Sequence, residues 1–173
     1  MFLELIGTVF AGIAMAGIIM GINRLTAGRL PRWAAPVAGG LTMIAVTIFM
    51  EYSWYDRTAT GLPDGVEVAQ AVPKHSLYQP WTYVSPYVDR FVAVDEHSLK
   101  RNPDQPGQRI IDLYFFGRWA PSRKVPVVYD CAEHRLATLI DGIEFGQNGE
   151  ILNADWRGVA ADDPVLTAVC EVS

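Results

Sequence analysis

The chain has 173 residues and a formal net charge of −5; half of its residues are hydrophobic and only 19% are charged. That leaves room for one ordinary domain plus an addition, and it is apolar for a soluble protein of this size. An acidic balance without any basic groove interleaved with aromatics excludes the usual nucleic-acid-binding classes.

The apolarity is concentrated near the N-terminus. Residues 2–22, FLELIGTVFAGIAMAGIIMGI, hold one charge, Glu4, and residues 33–50, WAAPVAGGLTMIAVTIFM, hold none. As helices rising about 1.5 Å per residue these runs are roughly 31 and 27 Å long, against a hydrocarbon core of about 30 Å. The remaining chain is too small to bury two uninterrupted apolar cylinders. Both are therefore expected to cross a lipid bilayer, with spans at about 2–22 and 33–52. A signal peptide would carry positive charge ahead of its apolar run, whereas here the arginines follow it, so the first span is read as a retained anchor.

The loop NRLTAGRLPR (23–32) carries Arg24, Arg29 and Arg32 and no acid, which places it on the cytoplasmic side. At the other ends lie Glu4 and Glu51, followed by Tyr52, Trp54 and Tyr55, a cluster suited to an interfacial belt. The expectation is a two-helix transmembrane hairpin over residues 1–55 in a bacterial inner (cytoplasmic) membrane. Both termini and residues 56–173 would lie on the periplasmic side. Glu4 and Glu51 are read as solvated interfacial carboxylates, the alternative being a buried proton or cation site.

Small residues let membrane helices approach closely. Gly7, Ala11, Ala14 and Gly21 fall near one face of the first span, and Gly17 forms a small-xxx-small pair with Gly21. Ala38, Thr42 and Ala45 share a face of the second. Most of these are expected to pack helix on helix within the hairpin. Gly12, Ala16 and Gly39 are left on other faces, available to a larger membrane partner.

Residues 56–86 read as an extended tether: TATGLPDG and the spaced Pro63, Pro73, Pro80 and Pro86 keep the chain irregular, with VEVAQAV adding one short edge strand. From Asp56 onward there are 17 acidic and 11 basic residues, about −6 in total, which argues against nucleic acid or anionic lipid as a ligand of this part.

Strand signals then become dense. YVDRFVAVD (87–95), RIIDLYFFGRW (109–119), KVPVVYDC (124–131), HRLATLIDGIEFG (134–146, bent at Gly142) and ILNADW (151–156) are expected as strands. They are separated by turns at NPDQPG (102–107), APSRK and the Asn-Gly of QNGE (147–150). A last helix begins with a cap at Asp162 or Asp163 and Pro164 in its first turn. The fold expected is a membrane-anchored α+β protein, with an exported antiparallel sheet and a C-terminal helix over residues 87–173.

The string VYDCAEHR (128–135) places Cys131 three residues ahead of His134, so the cysteine could be a metal ligand, an activated thiol or half of a disulfide. Both cysteines, Cys131 and Cys170, fall in the exported segment, and an even number in an oxidising compartment favours a disulfide. Closing that span of about 40 residues would stabilise the domain by roughly 4 kcal/mol in the chain-entropy model. No second ligand pair follows at metal spacing, so no metal and no cofactor are expected.

Val94, Asp95 and Ser98, then Asp130, Cys131 and Arg135, then Trp156 and the terminal Cys170, together resemble the surface-adhesin protein E family of bacterial exported domains over about residues 81–172. The resemblance implies an antiparallel sheet with a helix, one Cys–Cys bridge, and a binding or adhesive role without an enzymatic site. The two-helix hairpin departs from the lipoprotein anchor of that family.

No H-E-x-x-H, G-x-S-x-G or phosphate-cradling glycine loop occurs. His75, His97 and His134 sit in polar or turn-like sequence, and Asp130, Glu133, Asp141 and Glu144 alternate with apolar residues like the solvated face of strands. The chain is thus expected not to be an enzyme. It reads as an accessory or assembly subunit of an inner-membrane complex of respiratory or photosynthetic type, its partners being integral membrane subunits. The alternatives are a free-standing periplasmic binding or adhesin-like module, with LYFFGRW (113–119) capturing a ligand, and a metal or redox protein using Cys131 and His134.

Overall fold

A computed structural model describes residues 2–77, 79–139, 144–146 and 151–171. The chain divides into two compact units, Met1–Trp54 and Tyr55–Ser173.

The first unit is a helical hairpin of α1 (Phe2–Leu25) and α2 (Ala34–Ala59), both long and apolar enough to cross a membrane. The second helix continues past the expected end of its span, so its last turn belongs to the second unit. The connection is tight. Gly28 takes a left-handed conformation (φ 77°) that costs glycine little, its N–H donating to Asn23 O at 2.8 Å, and Leu30 N donates to Asn23 Oδ1 at 2.9 Å.

The helices approach most closely at Gly12 and Gly39. A Cβ on Gly12 would stand 2.6 Å from Met43 Cγ, and one on Gly39 would stand 3.0 Å from Gly12 O. Met43 thus fills the notch that Gly12 leaves. Of the small residues expected at this contact, Ala11, Ala38 and Thr42 are half-buried, whereas Gly7, Ala14, Gly17, Gly21 and Ala45 are exposed. A Cβ on Gly7, Gly17 or Gly21 would meet nothing within 4 Å. The expectation is corrected here: Gly12, Ala16 and Gly39 make the intramolecular contact. Small-residue spacing marks every face that permits close approach, and the partner's side chains decide which face is used. Thr42 Oγ1 donates to Ala38 O at 2.8 Å, within its own helix, so it does not bridge the pair.

The second unit is a six-stranded antiparallel sheet in the order β1-β2-β3-β4-β5-β6, curled as a half-barrel. Its strands are β1 (Val66–Lys74), β2 (Tyr87–Asn102), β3 (Gln105–Gly117), β4 (Ala120–Asp130), β5 (Arg135–Thr138) and β6 (Arg157–Gly158), followed by α3 (Pro164–Glu171). Part of the expected tether is therefore sheet, with β1 pairing along β2. Pro73 is tolerated there because β1 is an edge strand. After β1 the chain turns back through a 3₁₀ turn at Pro80–Tyr83, where the buried Thr82 hydroxyl donates to Gln79 O and accepts from Ser76 N.

The strand pairings are tighter than the sequence suggests. The β2–β3 turn closes between Asn102 and Gln105, and β3 pairs with β4 from Gly117 to Ala120. APSRK is thus largely strand, with Arg118-Trp119 as the two-residue turn. Toward the C-terminus the reverse holds: β5 and β6 are short, and Phe145 and Ile151 form only an isolated bridge. The expected bend at Gly142 and the Asn-Gly turn at 147–150 lie outside the described residues.

α3 packs on one face of the sheet. Its Val165, Leu166 and Val169 meet Val94, Ile111, Leu113, Val127 and Tyr129 in one buried cluster. Asp163 caps the helix, its Oδ1 accepting from Val165 N and Leu166 N at 2.9 Å each, with Pro164 next in the first turn. At the other end Arg109 Nη1 donates to Val169 O at 2.7 Å, satisfying a carbonyl that a helix C-terminus leaves open. The remaining link is covalent: Cys131, immediately after β4, is bonded to Cys170 in α3.

Candidate functional site

The residues of the family-like pattern gather in two structural locks. The first surrounds Cys131. Asp130 pairs in register with Arg135 across β4 and β5, and its Oδ2 accepts from Arg135 Nε at 3.2 Å and Nη2 at 3.0 Å. Its Oδ1 accepts from the backbone N–H groups of Ala132 and Glu133, each at 3.2 Å. The Arg135 guanidinium in turn lies 4.6 Å from the centre of the Trp156 ring. One carboxylate therefore fixes the turn that presents Cys131 to Cys170, and His134 closes that turn in a left-handed conformation (φ 48°). The solvated-face expectation is corrected for Asp130, which is 6% exposed. Strand alternation puts it on the face of the fully buried Val128, opposite Val127 and Tyr129, and the arginine on the neighbouring strand pairs with it there. Glu133 and Glu144 are exposed, and Asp141 lies outside the described residues.

The second lock is an irregularity in β2, where the pairing with β3 shifts between Asp95 and Lys100. The shift would leave Asp112 N–H without a strand partner, and Ser98 Oγ accepts from it at 2.8 Å while donating to Asp95 O at 2.7 Å. Asp95 Oδ1 accepts from His97 N at 3.1 Å, and the His97 ring occupies the space that a Cβ on Gly65 (φ 80°) would need. Val94 is part of the core. These pattern residues hold the sheet and its turns.

Among the described residues, no three of His, Cys, Asp or Glu gather at metal-binding distance. His75 pairs with the carbonyl of Thr82 at 3.0 Å, and His134 sits in the Cys131 turn, its backbone oxygen accepting from Val159 N. The metal and redox readings of Cys131 need a free thiol, and the sulfur is bonded to Cys170.

Of the topology residues, Arg24 is in the last turn of α1, and Arg29 and Arg32 are exposed in the connecting loop. Tyr52 and Tyr55 are half-buried, while Trp54, expected at an exposed interfacial belt, is only 6% exposed. Tyr55 meets Phe91 of β2 edge to face, with ring centres 5.4 Å apart.

The strand LYFFGRW (113–119), named above as a candidate for ligand capture, lines a groove through Phe115 to Trp119, and what the sequence reading did not anticipate is the groove's basic lining. The groove, of about 590 Å³, lies at the end of the sheet where β2 begins and β3 turns into β4. Val92, Phe115 and Arg123 form one cross-strand row, and Arg90 stands opposite Gly117, where a Cβ would meet Ala120 Cβ at 3.2 Å. Trp119 and Phe115 are 56% and 40% exposed, and Arg118 lies 5.0 Å from the centre of the Trp119 ring. Lys74, Arg90, Arg118 and Arg123 line the groove with Asp89 as its one acid, and Asp89 bonds Lys74 at 3.2 Å and lies 3.9 Å from Arg90 Nε. The local signal was RWAPSR (118–123), a tryptophan turn with arginines on both sides. The domain's net charge masked it, because all its acids but Asp89 lie outside the groove lining.

No family model matches this chain, and neither a curated protein nor a solved structure matches it.

Proposed function

We propose that the chain is a non-catalytic accessory or assembly subunit of a bacterial inner-membrane protein complex, of respiratory or photosynthetic type, with a periplasmic interaction domain. One observation carries the reading: Gly7, Gly17 and Gly21 open onto empty space while the hairpin closes through Gly12 and Gly39. At about 100° per residue those three glycines fall within a sector of roughly 80° of α1, on the side away from α2. A helix face so stripped of side chains gains little from lipid but lets another helix backbone approach closely. The periplasmic location of the second unit is supported by its disulfide, a bond that persists in oxidising compartments.

The test is purification in mild detergent through a C-terminal tag. Stoichiometric integral membrane subunits should accompany the protein, and Gly17→Leu with Gly21→Leu should release them while leaving the hairpin folded. A protein that comes down alone from native membranes refutes the reading. The runner-up is a free-standing, membrane-anchored binding or adhesin-like module. It is favoured by the arginine-lined groove, and that groove's occupant would then be the protein's main ligand.

A further inference from the structure

We infer that the groove between the start of β2 and the β3–β4 turn is a binding site for the phosphates of anionic lipid headgroups at the membrane surface. This rests on the membrane anchoring of the two helices and not on the identity of any partner complex. Three observations converge on it.

The first is charge complementarity. Four cations line the groove against one carboxylate, in a unit whose total is about −6, so this is a local concentration of positive charge set apart from an acidic surface. Arginine presents a planar fork of donors that matches a phosphate; Arg90, with 70% of its side chain exposed, is held only by a loose 3.9 Å contact of its Nε with Asp89, which leaves its terminal nitrogens facing water.

The second is the aromatic content. Exposed Trp119 and Phe115 provide apolar surface beside the guanidinium groups. A tryptophan ring with an arginine against it is suited to headgroup depth, where apolar and charged surroundings meet.

The third is position in the chain. Tyr55, which is four residues past Glu51, packs on Phe91, the neighbour in sequence of both Arg90 and Val92. Tyr55 belongs to the second unit, so only a few residues of chain join the groove's sheet to α2's apolar run. A short tether of this kind makes even weak headgroup contacts effectively intramolecular.

The experiment uses the full chain in nanodiscs of phosphatidylcholine, alone or with about a third phosphatidylglycerol, a mixture whose negative surface attracts basic side chains. Hydrogen exchange over residues 117–123 is the readout. Slower exchange in the anionic discs is expected. Replacing single arginines (Arg90→Gln, Arg118→Gln or Arg123→Gln) should raise the phosphatidylglycerol fraction needed for half-maximal protection by up to about fivefold, and replacing all three together should abolish the response. These variants should keep the Cys131–Cys170 bond and the wild-type exchange of β2 and β3 outside the groove. Arg123→Gln, a single change on a strand surface, carries the test if the triple variant does not fold.

Equal exchange in both discs overturns the inference, as does a triple variant that folds and still responds to phosphatidylglycerol. Inorganic phosphate reproducing the protection in phosphatidylcholine discs would make the groove a soluble-anion site and overturn the lipid assignment. Protection seen only when a native complex is bound would assign the groove to an acidic protein surface, with the same consequence.

Discussion

At the scale of single residues, Asp130 does the most with one side chain. It neutralises Arg135 and accepts two turn N–H groups while nearly shielded from water. Asp130→Ala leaves those donors without acceptors and should cost about 2–3 kcal/mol in denaturant unfolding. Asp130→Asn keeps an acceptor oxygen for the turn but loses the charge, and should cost about 1 kcal/mol, since Arg135 is partly open to water. Equal losses in the two variants would mean that the ion pair, not the turn, carries the effect. Tyr129 makes a different prediction. Burial, and then the nearby charge of Asp163, push its phenol above the ordinary tyrosine range. A raised folded-state pKa means that its contribution is complete below the unfolded value of about 10 and is lost as pH rises beyond it. Tyr129→Phe should therefore flatten the alkaline fall in stability, by up to about 1.4 kcal/mol per pH unit above pH 10. Identical slopes for the two proteins would refute this.

At the scale of elements, the long apolar runs, the antiparallel strands and the capped last helix were all legible, because each depends on local pattern and chemistry. Asp163 and Pro164 identified the start of α3 from their types alone. What was not legible depended on partners. Whether β2 runs on to Asn102 is settled by the Ser98 and Asp112 bond that carries it past an irregularity, and no periodicity in the strand announces that. The helix contact was misplaced for a similar reason: the sequence offered several small-residue faces, and Met43 selected the one containing Gly12. From the candidate site, the Cys131–Cys170 bond was legible in compartment and cysteine parity. Of the groove, the aromatic strand LYFFGRW was legible but the basic lining was not, because Arg90 and Arg123 are far apart in sequence and come together only through strand register. Gly12→Leu should force the helices apart, since even a Cβ there would stand 2.6 Å from Met43 Cγ. A loss of about 1–3 kcal/mol of hairpin stability is expected in detergent, the range for overpacking. Gly7→Leu, opening onto empty space, should cost little. Similar destabilisation by both would show that the contact lies elsewhere.

At the scale of the whole molecule, the second unit is held by two different kinds of closure. The sheet is closed by neighbours: each of its strands pairs with the next in sequence, so most of its bonds form between segments close along the chain. α3 is different. Its apolar side chains return from the end of the chain to strands β2, β3 and β4, and as a helix of 8 residues it is too short to persist alone. The disulfide spans 39 residues to hold it there, and in the chain-entropy model a loop of that length contributes about 4 kcal/mol. That is a large share of the 5–15 kcal/mol or so that stabilises an ordinary domain. Replacing Cys131 and Cys170 together by serine should therefore lower unfolding stability by about 4 kcal/mol. The loss should not be uniform. Amides of α3 should exchange quickly, because the helix is then held only by its apolar face, its Asp163 cap and Arg109, while β2 and β3 keep most of their protection. Uniform loss across sheet and helix would mean that the unit folds as one cooperative block around α3. Undiminished protection of α3 would mean that its packing, and not the bond, holds it in place.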